Sequence, residues 1–514
     1  MSSQQIIDRP GAELSPAKRA VLEARLKGLS RASGIARRGP VAEAPLSFAQ
    51  ERFWFLDRVG QGGIYNLPFP VRLRGAIDAA ALERALGEIV RRHEVLRTTF
   101  ADVEGVPVQR IAPFGGFTLP VEDLTALPEA ERQAAAQARS GEECAARFDL
   151  EKGPLFRARL LRVSPDDHLL VLCMHHIVTD GWSLGVFFRE LWALYSAFRD
   201  GRGSPLADLP VQYADYAAWQ REQSGGAAEA RQLAWWKEQL AGAPALLELP
   251  ADRPRPPVPS FAGGTVPVSV PPRTVQRLKE LAREEGATPF MVVLAAFQVL
   301  LGRYAGTDDV VVGTLVAGRT RNEVQGLIGL FMNTLVLRTV LAGDPAFREV
   351  VRRAREAVLG AYDHQDVPFE RLVEELQPER SLSHSTLFQV LFQMETLEGS
   401  EAGGSNGNGR GALRVEGVGG ARDQAKFDLT LDLTASATAI TGVLEYSSDL
   451  FDRGTARRMM EHLERLLEQV ATHPDRRISR LELMGKAERD RVLGWNRTTA
   501  HFPADRCIHH LFEE

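Results

Sequence analysis

Leu249-Pro-Ala-Asp-Arg-Pro-Arg-Pro-Pro-Val-Pro259 places five prolines in eleven positions near the middle of the chain. Each proline fixes φ and removes a backbone donor, so neither a helix nor a central strand can run through this stretch. It must cross as extended backbone. Helical and strand patterns alternate on both sides of it. At 514 residues the chain is too long for one ordinary core. The tether therefore reads as the divider between two α/β lobes of similar size and element order, a pseudo-duplicated architecture.

The spacing predicts a helix over Ala79–His93 and strands over Leu155–Val163 and His168–Met174 before the divider. After it come a strand at Val266–Val270, helices at Thr274–Glu285 and Thr288–Tyr304, and strands at Asp309–Thr314 and Leu335–Val340. Strands at Phe427–Leu433 and Thr441–Tyr446 and a helix at Arg453–Ala471 complete the pattern. Glu398–Gly411, rich in Gly, Ser and Asn, reads as a mobile loop. At the start, Ser15-Pro16 fits an N-cap and first helical position, with Leu22, Leu26 and Leu29 on one stripe. The resulting division is a leader or linker helix over 1–43, an N-terminal lobe over 44–220 and an interlobe linker over 221–262. A C-terminal lobe over 263–485 and a tail over 486–514 complete it.

A net charge of −5 and a pI near 6.2 argue against nucleic acid or an anionic membrane as the main partner. The three cysteines (Cys144, Cys173, Cys507) show neither metal-ligand spacing nor a disulfide framework, which fits a reducing cytoplasm. The first residues lack a signal-peptide layout, and no apolar run reaches spanning length.

The chemistry concentrates at His175-His176-Ile-Val-Thr-Asp180-Gly181-Trp182-Ser183. Two histidines close the apolar run Leu169–Met174, which reads as a strand buried on both faces. Ser183 fits the N-cap of a following helix that carries Leu184, Phe187, Phe188, Leu191, Trp192 and Tyr195. A buried imidazole is costly without a partner or a task. Adjacent histidines diverge and no Cys or Glu follows at ligand spacing, which disfavours zinc. No Gly-x-Ser-x-Gly elbow marks an activated serine. What remains is a histidine acting without a protein nucleophile, on two substrates that both enter the site. Asp180 needs a cationic partner if buried. Gly181 permits close approach, and its N–H could face a developing oxyanion.

Further motifs follow in order: Leu46-Ser-Phe-Ala-Gln-Glu-Arg-Phe-Trp-Phe-Leu56, Arg92-His-Glu-Val-Leu-Arg-Thr-Thr-Phe100 and Tyr213-Ala-Asp-Tyr-Ala-Ala-Trp-Gln220. Ile328-Gly-Leu-Phe-Met-Asn-Thr-Leu-Val-Leu-Arg338 and His364-Gln-Asp-Val-Pro-Phe-Glu370 complete the series. Together with the His-His turn they closely resemble the signature motifs of condensation domains of nonribosomal peptide synthetases, over roughly Leu46–Leu483. The resemblance implies two lobes like chloramphenicol acetyltransferase, set as a V around a central tunnel. Carrier-protein phosphopantetheine arms would enter the tunnel from each face.

By the same resemblance His176 is catalytic, while His175, Asp180 and Gly181 structure the site. Arg319, in Ala317-Gly-Arg319, matches the position that pairs with the motif Asp. Arg92, Arg97, Trp182, Ser183 and Asn333 match positions near the tunnel, the two arginines in a structural role. No metal and no covalently bound cofactor is implied. The reaction would be amide formation between a donor thioester and the α-amine of an acceptor aminoacyl thioester. The partners would be an upstream and a downstream peptidyl carrier protein and an adjoining adenylation domain. Tyr65-Asn-Leu-Pro68 and the form of the His-His motif look most like the branch that accepts an L-configured donor. Leu493–Pro503 and Ile508–Glu513 resemble the opening of an adenylation domain, as though the chain were part of a longer synthetase. Arg380-Ser-Leu-Ser-His-Ser-Thr386 departs from the family pattern at Ser381 and Thr386, near an expected lobe-bridging loop. A fatty-acyl donor, a soluble amine acceptor and a non-catalytic recruitment platform are the alternatives.

Overall fold

A computed structural model describes residues 34–39, 42–378, 381, 383–396, 413–418, 424–499 and 507–513. The leader helix expected near Ser15–Leu29 and the loop expected over Glu398–Gly411 lie outside the described residues.

The first half contributes β1 (Glu43–Pro45), β2 (Asn66–Pro68), β3 (Val71–Arg74), β4 (Thr98–Val103), β5 (Val106–Ile111), β6 (Val121–Asp123), β7 (Phe156–Ser164) and β8 (Asp167–His175). Strands β1, β5 and β4 form a small antiparallel sheet. The main sheet centres on the β7–β8 hairpin. Its strand β8 is apolar on both faces because both faces are covered. On one face Leu170 and Leu172 join a core with Leu82, Leu86 and Ile89 of the Ala79–Arg92 helix and Phe187 and Leu191 of the Gly181–Arg199 helix. On the other, Leu169 and Val171 meet Ala136 of the Glu129–Ala145 helix. The Ala79–Arg92 helix starts at Asp78, whose carboxylate accepts from Ala81 N at 2.9 Å.

The second half contributes β9 (Gly263–Val270), β10 (Asp309–Val316), β11 (Asn333–Val340), β12 (Val390–Thr396), β13 (Arg414–Gly417), β14 (Leu429–Ala435) and β15 (Ile440–Ser447). Six of these form a mixed sheet in the order β11-β10-β12-β14-β15-β9. The Pro289–Ala305 helix behind it is buried continuously from Met291 to Gly302. Thr288 caps its start, and Gly306, at φ 66°, ends it in the left-handed conformation.

Two features cross the expected division. Strand β13 leaves its own half and pairs antiparallel with β3, setting Arg414 opposite Arg74 and Gly417 opposite Val71. The segment between β10 and β11 also crosses. Its Val324, Leu327, Ile328, Leu330 and Phe331 sit in the core of the first half. The stretch read as a linker, 221–262, holds the Ala227–Leu240 helix, whose Leu233, Trp236 and Leu240 pack in the second core. Beyond it the proline-rich stretch runs extended along the second half. Asp252 N donates to Leu450 O at 2.9 Å, and Arg255 pairs with Asp428. Near the departed loop motif, Arg255 also donates to Ser383 O, and the Ser381 and Ser383 hydroxyls bond each other at 2.8 Å. No single helix among the described residues is long and apolar enough to cross a membrane.

Candidate active site

The site forms where β8 runs out. His175 is the last residue of the strand, and His176–Val178 make one 3-10 turn. Thr179 and Asp180 then return to extended backbone ahead of the Gly181–Arg199 helix. The cap of that helix is Asp180, not Ser183 as the spacing predicts. Asp180 has the extended backbone of a cap, and its Oδ1 accepts from Ser183 N at 2.8 Å.

The two histidines take different roles from their hydrogen bonds. His175 is fully buried, and its Nδ1 accepts from Ile177 N at 3.2 Å, which shapes the turn. His176 places Nδ1 2.9 Å from Thr179 O. A carbonyl oxygen only accepts, so Nδ1 carries the proton and Nε2 carries the lone pair. His176 is half-buried, while His175, Ile177, Val178, Thr179 and Asp180 are all closed, so it is the one residue of the turn with surface left open. The Phe53 ring lies 5.0 Å from the imidazole, centroid to centroid, and the Tyr65 ring stands edge-on to Phe53 at 4.7 Å. Burial, with the Lys426 and Arg52 cations nearby, pulls the His176 pKa down to about 3, against the opposing pull of Thr179 O. The imidazole is therefore neutral at ordinary pH.

Asp180 locks the turn. Its Oδ1 accepts from Ser183 N, from Arg319 Nη2 at 3.2 Å and lies 2.7 Å from Ser183 Oγ. Its Oδ2 accepts from Phe331 N of the crossing segment at 2.9 Å. Arg319 spends its other amino group on Val324 O (2.6 Å) and Leu327 O (2.7 Å), and its guanidinium lies 4.0 Å from the Phe331 ring centroid. Gly318 makes this approach sterically accessible. At φ 63° it takes a conformation that favours glycine, and a Cβ there would stand 1.9 Å from Phe331 O. Gly329 is equally constrained, since a Cβ would meet the Tyr213 ring at 2.0 Å. At Gly181, by contrast, a Cβ would meet no atom within 4 Å, so no protein neighbour demands glycine. The space over the turn is open.

The remaining expected positions divide. Trp182 is half exposed beside the turn, its indole N–H donating to Gln325 O at 3.0 Å. Ser183 is fully buried, with its hydroxyl accepting from Arg319 Nη2 (2.8 Å) and Gly329 N (3.0 Å), so it pins the crossing segment and faces no passage. Asn333 is also saturated. Its amide donates to Gln365 O (2.9 Å) and Val367 O (2.7 Å), and its Oδ1 accepts from Phe369 N (3.0 Å) and Thr334 N (2.9 Å). No hydrogen-bonding capacity remains there for a substrate. Arg92 pairs with Glu190 at 3.1 Å and Arg97 with Glu94 at 3.6 Å, and neither bonds a group of the turn. Spacing does not single out Phe53, Tyr65, Arg52 or Lys426. Arg52 and Phe53 are signalled only by the Leu46–Leu56 motif and Tyr65 only by Tyr65-Asn-Leu-Pro68, and Lys426 has no signal in either.

Against known proteins, residues 41–493 match the family model of the condensation domain. The chain is 44% identical over 483 residues to a linear gramicidin synthase of Brevibacillus parabrevis, covering 93% of this chain and 9% of that protein. It is also 44% identical to the phosphinothricin tripeptide synthetase PhsB of Streptomyces viridochromogenes, over 92% of this chain and 40% of that one. The chain thus spans less than half of either relative. Among solved structures, the X-domain from teicoplanin biosynthesis superposes with a TM-score of 0.79 at 35% identity, over 88% of this chain and all of that one. The first condensation domain of the calcium-dependent antibiotic synthetase, at 24% identity and a TM-score of 0.70, shares the fold over 87% of this chain and 100% of that one.

Proposed function

The chain belongs to the condensation-domain family, and from that premise we propose that it joins two carrier-bound substrates through an amide bond. The α-amine of an acceptor aminoacyl thioester attacks the carbonyl of a donor aminoacyl or peptidyl thioester. A C–N bond forms, the C–S bond breaks, and the amine's lost proton ends on the departing phosphopantetheine thiol. The extended product stays on the acceptor carrier. The phosphopantetheine arms are parts of the substrates and reach His176 through a tunnel between the lobes, one from each face.

One observation carries this reading. His176 is the half-buried residue of an otherwise closed turn, with its proton fixed on Nδ1 by Thr179 O and its lone pair on Nε2. Nε2 can accept a hydrogen bond from the attacking amine and aim the nitrogen lone pair at the carbonyl. An imidazole with a pKa of about 3 cannot hold the proton of a free α-ammonium, whose pKa is about 7.7–8.0. The amine therefore reacts as the free base, and His176 positions it first. The tetrahedral adduct's nitrogen is a far stronger acid, so a weak base suffices to carry its proton away. Arg52 and Lys426 add positive potential that favours an uncharged amine. The space beside Gly181 is open, and in this reading its N–H, at the start of the helix, faces the developing oxyanion.

Residues 486–514 are, in this reading, the linker and the opening of an adenylation domain, and the protein works in the cytoplasm. Tyr65 packs on Phe53, which packs on His176; in this reading Tyr65 borders the donor, and an L-configured donor is the expected one. The test loads aminoacyl groups onto a donor and an acceptor carrier and detects the thioester-bound product by intact mass. His176→Ala should lose at least about 100-fold in product rate. Dipeptide formation at the parental rate would defeat the role. A D-configured donor turning over as fast as its L-enantiomer would defeat the stereochemical reading alone.

A further inference from the structure

His93 takes no part in the chemistry above, yet it is among the most enclosed polar side chains of the first half, at 1% exposure. It follows the Ala79–Arg92 helix as its C-cap, and both of its ring nitrogens are engaged. Nδ1 accepts from the backbone N–H of Ile328 at 3.2 Å. Nε2 lies 2.8 Å from Glu190 Oε2, on the Gly181–Arg199 helix. A backbone amide can only donate, so the ring is the neutral Nε2–H tautomer, with its proton directed at Glu190. Arg92 takes the other carboxylate oxygen at 3.1 Å, and the His93 contact first, then Arg92, keep Glu190 ionised against its burial. Burial keeps His93 neutral in spite of Glu190, and Arg92 and Arg319 push the same way. Spacing gives one signal for this arrangement, a lone carboxylate on the buried stripe between Phe187 and Leu194.

The partner of Nδ1 gives the arrangement its meaning. Ile328 precedes Gly329, whose N–H donates to Ser183 Oγ, and lies three residues before Phe331, whose N–H donates to Asp180. Tyr213 Oη donates to Leu330 O at 2.6 Å between them. Four side chains of the first half thus grip consecutive backbone groups of a segment that belongs to the second. Asp180 and Ser183 are also the groups that shape the His176 turn.

We propose that His93 is a positioning residue: it fixes the crossing segment in register with Asp180 and Ser183, and so couples the seating of the second half to the geometry of the His176 turn. The turnover part of this inference rests on the amide-forming reading, whereas the clamp itself does not.

Two substitutions separate the ring's functions. His93→Asn keeps an acceptor where Nδ1 stood and gives up Glu190. His93→Gln reaches Glu190 and leaves the Ile328 N–H buried without an acceptor. Hydrogen exchange on the full chain should then show residues 327–331 exchanging at least about tenfold faster in His93→Gln and near the parental rate in His93→Asn. With loaded carriers, kcat should fall about tenfold or more in His93→Gln with KM for either carrier within about twofold, and His93→Asn should restore most of it. Unchanged exchange in His93→Gln overturns the proposal. So does an equal loss of kcat in both variants at matched thermal stability, which marks a merely structural residue. Nitrogen NMR of the unsubstituted chain gives a check that no variant's folding can obscure. The Nε2–H tautomer of His93 is required, and the Nδ1–H tautomer contradicts the clamp. A parental chain that forms no amide defeats the amide-forming reading, and exchange and tautomer then decide the clamp alone.

Discussion

Asp180 does more for this site than any other single carboxylate, because one side chain caps a helix, pairs a buried guanidinium and receives a backbone amide from the other half. Both members of the Asp180–Arg319 pair are 2% exposed at their side chains. Removing one buried partner strands the other's charge. Asp180→Ala should therefore cost about 3–5 kcal/mol in a urea titration, and Arg319→Ala a similar amount. The double substitution should cost clearly less than the sum, since neither charge is then left alone. A loss below about 1 kcal/mol for Asp180→Ala would show that water reaches the pair. Asp180 and the two histidines are legible in the sequence, because such groups at the end of an apolar strand need partners, whereas Arg319 is reached only through the family resemblance. The tautomers are not. Those depend on Thr179 O and Ile177 N, backbone atoms that no residue pattern advertises. Asn333 and Ser183 show the converse. Both are polar residues near the motifs, but their capacity is spent on backbone, which only the packed structure shows.

Elements with a strong period are legible to within a few residues. Strand β8, the Pro289–Ala305 helix and the Ala79–Arg92 helix each follow from a stripe or run of apolar residues with a recognisable cap. The two crossing elements are not. Strand β13 is four residues long and carries no pattern of its own, so its pairing with β3 depends on a partner some 340 positions earlier. The 324–331 segment has apolar residues without a period, because it fills gaps in another half's core instead of presenting a face. Gly318 controls that insertion. Gly318→Ala meets both an unfavourable φ and the Phe331 carbonyl. It should lower the thermal midpoint by several degrees, roughly 2–4 kcal/mol, and expose the segment to limited proteolysis. An unchanged midpoint would mean that the crossing segment is not held against Gly318 in solution.

Across the whole molecule, the proline-rich divider and the repeated α/β pattern make the two-lobed plan legible, but the lobes are not independent. Each contributes structure to the other through β13 and the crossing segment. This exchange is the route by which, in our proposal, the seating of one half would set the geometry of the site in the other. Two buried histidines set an acid limit. His93 and His176 are both held neutral, with pKa values below the ordinary 6.5. Between that value and their folded values the unfolded chain binds protons that the folded chain does not, so stability must fall as pH falls. Thermal midpoints should be flat above about pH 7 and decline steadily from about pH 6.5 toward pH 4, and His176→Ala should flatten part of that decline. A midpoint that rises on mild acidification would contradict the neutral assignments. The central claim concerns one of these rings, and nitrogen NMR of His176 in the intact chain tests it most directly. The neutral Nδ1–H tautomer is expected, unchanged from pH 8 to about pH 5. A ring that titrates near 6.5, or that carries its proton on Nε2, would contradict it.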